Sequence, residues 1–324
     1  MNTMIETKEQ AIQLMNKALE HEWAVSIEYL IHAYSFPKGR YFYTDPVMNN
    51  RTDIRAQTIQ IGIDEMYHAL QLGTIITQMG GTPSLNTDEV RRFPKIIDNL
   101  KHDKMTEDVV TNLYQSADFK EGAFPELLNM VLNISYDEVR HSDQFAAMIK
   151  TMEDQGWENA ECYKAIPKDK TDAKIELLHE ITRLENELMH QYLKYVLLFS
   201  GHQDLTQRLL KNSIDHMRHW DKNSGLLIKM GDVIRIENAE KDTNGVEISR
   251  SPVPSEFPGQ HRVDSLEQLI PKEETLIDKY QKLISLLPDG EIRTQLEVHL
   301  ALNNEHIFTQ NWLLENASKI TGLK

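Results

Sequence analysis

Apolar residues recur every three and four positions along most of this chain, the period of helices buried along one side. The first stripe, Ile12, Met15, Leu19, Glu22, Ser26 and Tyr29, predicts a helix over about 8–34. A second, Ile61, Glu65, His68, Leu72, Ile75 and Met79, predicts one over about 53–79, stopped by Gly80-Gly81-Thr82-Pro83. The third, over about 95–117, is less regular but keeps Glu107, Val110 and Tyr114 in step. A fourth carries Leu127, Val131, Ile134, Glu138, His141, Phe145, Met148 and Met152. Such seams pack helices into bundles, and here ionisable residues lie on the seams themselves. The long connection SFPKGRYFYTDP, 35–46, offers Phe36, Tyr41, Phe42 and Tyr43 either as a wall for an organic molecule or as packing anchors.

After Met152 the pattern breaks into the polar segment EDQGWENAECYKAIPKDKTD and then starts again. The stretch 175–199 repeats the first helix, with Glu185 seven residues before Tyr192 as Glu22 stands before Tyr29. IDHMRH, 214–219, repeats IDEMYH, 63–68; Glu273 before Tyr280 repeats Glu107 before Tyr114; and LNNEH, ending at His306, repeats YDEVRH, ending at His141. The reading is an all-α protein of two tandem four-helix bundles, 1–155 and 173–324, joined by a linker at 156–172. The second connection between helices two and three, roughly 231–264, is longer than the first and contains SRSPVPSEFPG, so it is expected to be irregular.

In the first half, single glutamates come from helices one and three (Glu22, Glu107), and helices two and four each give Glu-x-x-His (Glu65 with His68, Glu138 with His141). Three residues turn an α-helix through about 300°, so each Glu and His project side by side. Four such helices can converge six ligands on one point. Four carboxylates balance two divalent ions, which relieves the desolvation penalty of burying either alone. Without metal, the carboxylates would repel one another and take up protons, so the ions should stabilise the fold as well.

These residues carry a resemblance. Residues 8–152 resemble the ferritin-like superfamily, and IDEMYHA and HEWAVSIEYLIHAYS resemble its bacterioferritin-type members. EWAVSIEYLIHAYS followed by DEMYHALQLGTIITQMGGTP is similar to the ferritin-like domains of the iminophenyl-pyruvate dimer synthase group, which act on small molecules. The resemblance implies that Glu22 and Glu107 are terminal ligands, that Glu65 and Glu138 bridge two iron ions, and that His68 and His141 bind one each. Manganese accepts the same ligands.

The second copy keeps both terminal carboxylates, Glu185 and Glu273, and both histidines, His219 and His306, but its bridging positions are His216 and Asn303. Without anionic bridges a second ion is poorly neutralised, so no dinuclear cluster is expected there. Glu185, His216, His219, Glu273 and His306, with His299 one turn from Asn303, could hold one divalent ion or could bond one another as a structural core.

Composition narrows the function. Fifty acidic against thirty-five basic residues leave a net charge of −15, which disfavours nucleic acid and anionic membranes as partners. One cysteine, Cys162, excludes an internal disulfide framework, so any metal site must use oxygen and nitrogen. MNTMIETKEQ lacks the features of a secretion signal and no apolar run reaches the roughly 20 residues of a membrane span, so a cytoplasmic location is expected. Fusion of unequal halves is hard to reconcile with a storage shell, and suggests a monomer with an internal pseudo-dimer, or a homodimer. The leading expectation is an oxygen-using di-iron oxidase or oxygenase acting on a small organic molecule. The alternatives are a ferroxidase or iron-handling protein, whose substrate is ferrous iron, and a metal-stabilised structural protein without turnover.

Overall fold

The computed structural model describes residues 3–253 and 263–321. Their contacts divide the chain into two units: Met1–Lys164 with Ile236–Pro252, and Ala165–Arg235 with Val253–Lys324.

The first unit opens with β1 (Thr3–Ile5) and α1 (Lys8–Ser35). A capping box starts α1: Thr7 accepts from the Gln10 main-chain N–H while the Gln10 side chain accepts from that of Thr7. A hairpin, β2 (Phe42–Thr44) and β3 (Arg51–Asp53), leads into α2 (Ile54–Gln78), which is capped by Asp53. Gly62 lets α1 and α2 approach closely, one turn before Glu65; a Cβ there would meet Leu30 Cγ at 3.2 Å and the Ser26 carbonyl at 3.3 Å. Gly80, in the left-handed region at φ 71°, ends this stretch. Then follow β4 (Val90–Arg92), α3 (Ile96–Gln115), β5 (Ala117–Phe119), which pairs in parallel with β1, and α4 (Pro125–Asp154). All four helices match the predicted stripes closely, and the seam positions of α4 from Leu127 to Met152 are buried.

One open alternative is decided here and one expectation is corrected. Phe36, Tyr41 and Tyr43 are buried in a core cluster with Val25, Tyr29, Ile54 and Phe145, and Tyr41 meets Trp157 edge-on at 5.2 Å, so they anchor the loop rather than wall a pocket. The segment 236–252, read as an irregular part of the second domain, instead packs with the first unit. Its β6 (Glu240–Lys241) and β7 (Glu247–Ser249) form an antiparallel sheet with β4 in the order β4-β7-β6, and Glu247 pairs with Arg92 at 2.5 Å. The division at Lys164 falls inside the segment read as a linker. SRSPVPSEFPG lies outside the described residues beyond Val253.

The second unit contains α5 (Ala173–Leu198), α6 (Gln203–Lys229), α7 (Ile270–Leu286) and α8 (Glu291–Thr321), again a four-helix bundle. Asp172 caps α5 through the Lys174 N–H at 2.7 Å, and Arg235 ties that end by binding Glu176 and Thr171. The fold is therefore predominantly α-helical, with two bundles in tandem. Among the described residues no helix is long and apolar enough to cross a membrane.

Candidate metal centre

The seams of α1, α2, α3 and α4 converge as their spacing predicts. Glu22 of α1, Glu65 and His68 of α2, Glu107 of α3, and Glu138 and His141 of α4 are all buried at the centre of the first bundle. They form two quartets, each with ligand atoms within 4.8 Å of one another: Glu22, Glu65, His68 and Glu138; and Glu65, Glu107, Glu138 and His141. Glu65 and Glu138 belong to both. Each quartet also has its own glutamate and histidine.

Both imidazoles present Nδ1 to this interior. His68 Nδ1 lies 2.8 Å from Glu65 and 3.0 Å from Glu138, and His141 Nδ1 lies 2.7 Å from Glu65 and 3.8 Å from Glu107. Yet His141 Nδ1, Glu65 Oε1, Glu22 Oε2, Glu138 Oε1 and both oxygens of Glu107 have no hydrogen-bond partner although they are shut from solvent. Buried polar atoms left so are costly unless something else satisfies them. Donor atoms packed close together but not aligned on one another suit a shared cation at the middle of each quartet. The residues therefore fit a pair of divalent ions, four carboxylate charges against four positive ones.

The electrostatics agree. Burial, then the charges of Glu65 and Glu22, push Glu138 up to about 8. Burial also raises Glu22, and it raises Glu107 with the help of Glu65 and Glu138. Burial opposes the charged form of His141, but Glu65 and Asp64 outweigh it and raise this group to about 10; His68 is raised in the same sense, chiefly by Glu65. Glu65 goes the other way: burial is outdone by His141 and His68, which hold it below the usual carboxylate range. These are the shifts that burial and close packing of carboxylates and imidazoles produce.

Two contributors were missed in the sequence. The outer nitrogen, Nε2, of His68 lies 3.5 Å from Asp137, and that of His141 lies 3.4 Å from Asp64. Arg140 joins both aspartates, at 3.1 Å from Asp137 and 3.3 Å from Asp64. Each aspartate immediately precedes a shared glutamate and orients the histidine of the opposite helix, the usual partner of a ligating imidazole. The repeated Asp-Glu-x-x-His was the available signal. Tyrosines are crossed similarly: Tyr114 of α3 donates to Glu22 of α1, while Tyr29 of α1 is raised by burial and by the nearby charge of Glu107.

The second bundle gathers its five predicted residues differently. His216 lies between the two glutamates, Nδ1 2.5 Å from Glu185 and Nε2 3.0 Å from Glu273. His219 sits 3.2 Å from Glu185 and His306 3.3 Å from Glu273. Tyr280 donates to Glu185 at 2.5 Å and Tyr192 to Glu273 at 2.7 Å, and Asn303 reaches Glu185 at 3.3 Å. Burial works against a charged His216, but Glu273 and Glu185 raise it to about 10; the same contact holds Glu273 down at about 2 despite its burial. His299 stacks on His219 at 4.2 Å and is lowered to about 3 by burial and by its neighbour, so it stays neutral. The His216 ring occupies the ground between the two carboxylates.

A family model described as Ferritin-like matches residues 15–174, from within α1 through the whole of α2, α3 and α4. No curated protein and no solved structure matches the chain.

Proposed function

From a chain that belongs, over residues 15–174, to the Ferritin-like family, we propose a dinuclear metal enzyme that couples dioxygen reduction to the oxidation of a small organic molecule. The observation that carries this reading is the pair of buried quartets sharing Glu65 and Glu138, with inward atoms that make no aligned hydrogen bond. Glu22 and His68 would hold one ion and Glu107 and His141 the other, with Glu65 and Glu138 spanning both. When bound, two ferrous ions supply electrons to dioxygen, chemistry that no side chain in the cluster can provide. The protein's part is to hold and orient. Asp137 and Asp64 fix the histidine rings, Tyr114 holds the Glu22 carboxylate, and the apolar seams above and below keep water out.

Anaerobic loading with ferrous iron followed by air tests this. Oxidation that stops after two irons per chain, and oxygen uptake that quickens only with an organic reductant, support the enzyme. Continued growth of ferric mineral would make ferrous iron the substrate and the protein an iron-handling one. Glu65→Ala should abolish oxygen consumption, and full activity in that variant would remove this cluster from the chemistry.

For the second bundle the reading is structural. His216, as imidazolium, supplies between Glu185 and Glu273 the positive charge that an ion would otherwise bring, and its two contacts use both ring nitrogens. Metal analysis of a Glu65→Ala variant checks it: an ion lost only on mutation of Glu185 or His219 would overturn this assignment.

A further inference from the structure

The six central residues are sealed, but not equally on every side. Along α1 every residue from Glu22 to Ser35 is buried, and Tyr114 of α3 covers the Glu22 carboxylate. A cavity of about 330 Å³ does open between α1, α3 and the segment entering β4, but its lining includes none of the six. The side between α2 and α4 has a thinner cover. There the side chains against the ligands are Asp64, Asp137 and Arg140, which are 25%, 42% and 39% exposed. His68 is only 3% exposed, yet its Nε2 lies 3.5 Å from the Asp137 carboxylate. One contact separates a ligand ring from water.

Arg140 holds this side shut. Its Nη2 lies 3.1 Å from Asp137, 3.3 Å from Asp64 and 3.3 Å from the outer nitrogen of His141. The guanidinium therefore ties α2 to α4 across the outer edge of the cluster. It also sets a positive charge where carboxylates lead from solvent to the ligands, and that charge opposes an incoming cation. The tie is weak, because ion pairs at partly exposed positions gain little over hydration. A long flexible stem lets the arginine swing out into water. Asp64 and Asp137 are then left without their cation beside His141 and His68, a stepping place for a hydrated divalent ion that exchanges waters for carboxylate oxygens.

We propose that divalent ions reach the two quartets between α2 and α4, by way of Asp64 and Asp137, and that Arg140 is the latch on this path. The proposal rests on the dinuclear reading of the centre. It gives the repeated Asp-Glu-x-x-His a second use: the aspartates that orient the rings also receive the ion. Arg140 belongs to neither quartet, so it sets how fast ions come and go rather than how many are held.

Stopped-flow binding of Co²⁺ to the metal-free full chain, followed by its visible absorption, tests the path, and equilibrium dialysis against Co²⁺ counts the ions. Co²⁺ accepts the same nitrogen and oxygen ligands. Arg140→Gln should load about tenfold faster than the native chain, a size typical of local charge acting on association, and should still hold two ions. It should also lose them faster to a chelator, since a latch acts in both directions. Asp137→Asn should load about tenfold slower. Lys150→Gln is the control: it removes the same charge from an exposed position of the same helix, where Lys150 pairs with Asp154 at 2.6 Å, and should load as the native chain does. Far-UV circular dichroism should be the same for all four chains. Equal loading rates for Arg140→Gln and Lys150→Gln would overturn the latch. A native chain that holds fewer than two ions would remove the central assignment and the latch with it, whereas two ions with equal rates would remove the latch alone.

Discussion

Glu65→Ala is the perturbation with the largest calculable consequence. Glu65 is 2.7 Å from His141, 2.8 Å from His68 and a member of both quartets, so its removal costs each ion a ligand at once. An ion that binds only the folded state adds about 2.7 kcal/mol of stability when its concentration is about 100 times its Kd. Two ions therefore add about 5 kcal/mol. For a unit of roughly 150–250 residues, where each kcal/mol moves Tm by about 2–4 °C, that is a shift of about 10–20 °C. The assay is differential scanning calorimetry of the anaerobic protein with Mn²⁺ and with chelator, following the transition that responds to metal. The native chain should show the full shift and Glu65→Ala almost none. Glu22→Ala, which belongs to one quartet only, should keep about half. If Glu65→Ala keeps half or more of the native shift, the two ions do not share this carboxylate and the reasoning fails.

Three further outcomes are expected. Without metal, Glu138 (raised to about 8 by burial and Glu65) and His141 (raised to about 10 against the effect of burial, by Glu65) both carry protons at pH 7; metal binding must displace them, so affinity falls as pH drops from about 8 to 6. Calorimetry in buffers of different ionisation enthalpy should record at least about two protons released per chain, and none would contradict the assignment. Asp64→Asn and Asp137→Asn should each weaken metal affinity by about 10–100-fold without changing the number of ions, as read by competition with a chelating dye. In the second unit, His216→Leu leaves two buried carboxylates without their cation and should cost about 3–5 kcal/mol in urea unfolding, where a loss under about 1 kcal/mol would refute the imidazolium reading. The sign in pH follows from the raised His216: its contribution is whole below about 6.5, fades as pH climbs through about 10, and the lowered Glu273 adds a second loss only as pH falls from about 4.5 towards 2.

The bundles were legible because burial imposes a period. Met15, Leu19, Glu22, Ser26 and Tyr29 are all buried as their spacing requires, and so is every seam residue of α4. The six central residues were legible for the same reason: a charged residue on an apolar stripe has to meet a partner. Asp64 and Asp137 were not, because they sit at partly exposed helix positions where an aspartate is ordinarily solvated, and only the tertiary approach of α2 to α4 shows them facing histidines. The sheet β4-β7-β6 was hidden too. Its strands are two or three residues long, too short to show an alternation, and its register joins Val90 to Ser249 across a long stretch of chain. His216 stands where the first bundle has a shared glutamate; that its two ring nitrogens lie against Glu185 and Glu273 is a tertiary fact the sequence does not carry.

Anomalous diffraction at the iron edge from anaerobically loaded crystals tests the central claim most directly. Two peaks about 3.5–4 Å apart, each bounded by one quartet and with the Glu65 and Glu138 carboxylates between them, are expected. A single peak, or none among Glu22, Glu65, His68, Glu107, Glu138 and His141, would contradict a shared dinuclear centre.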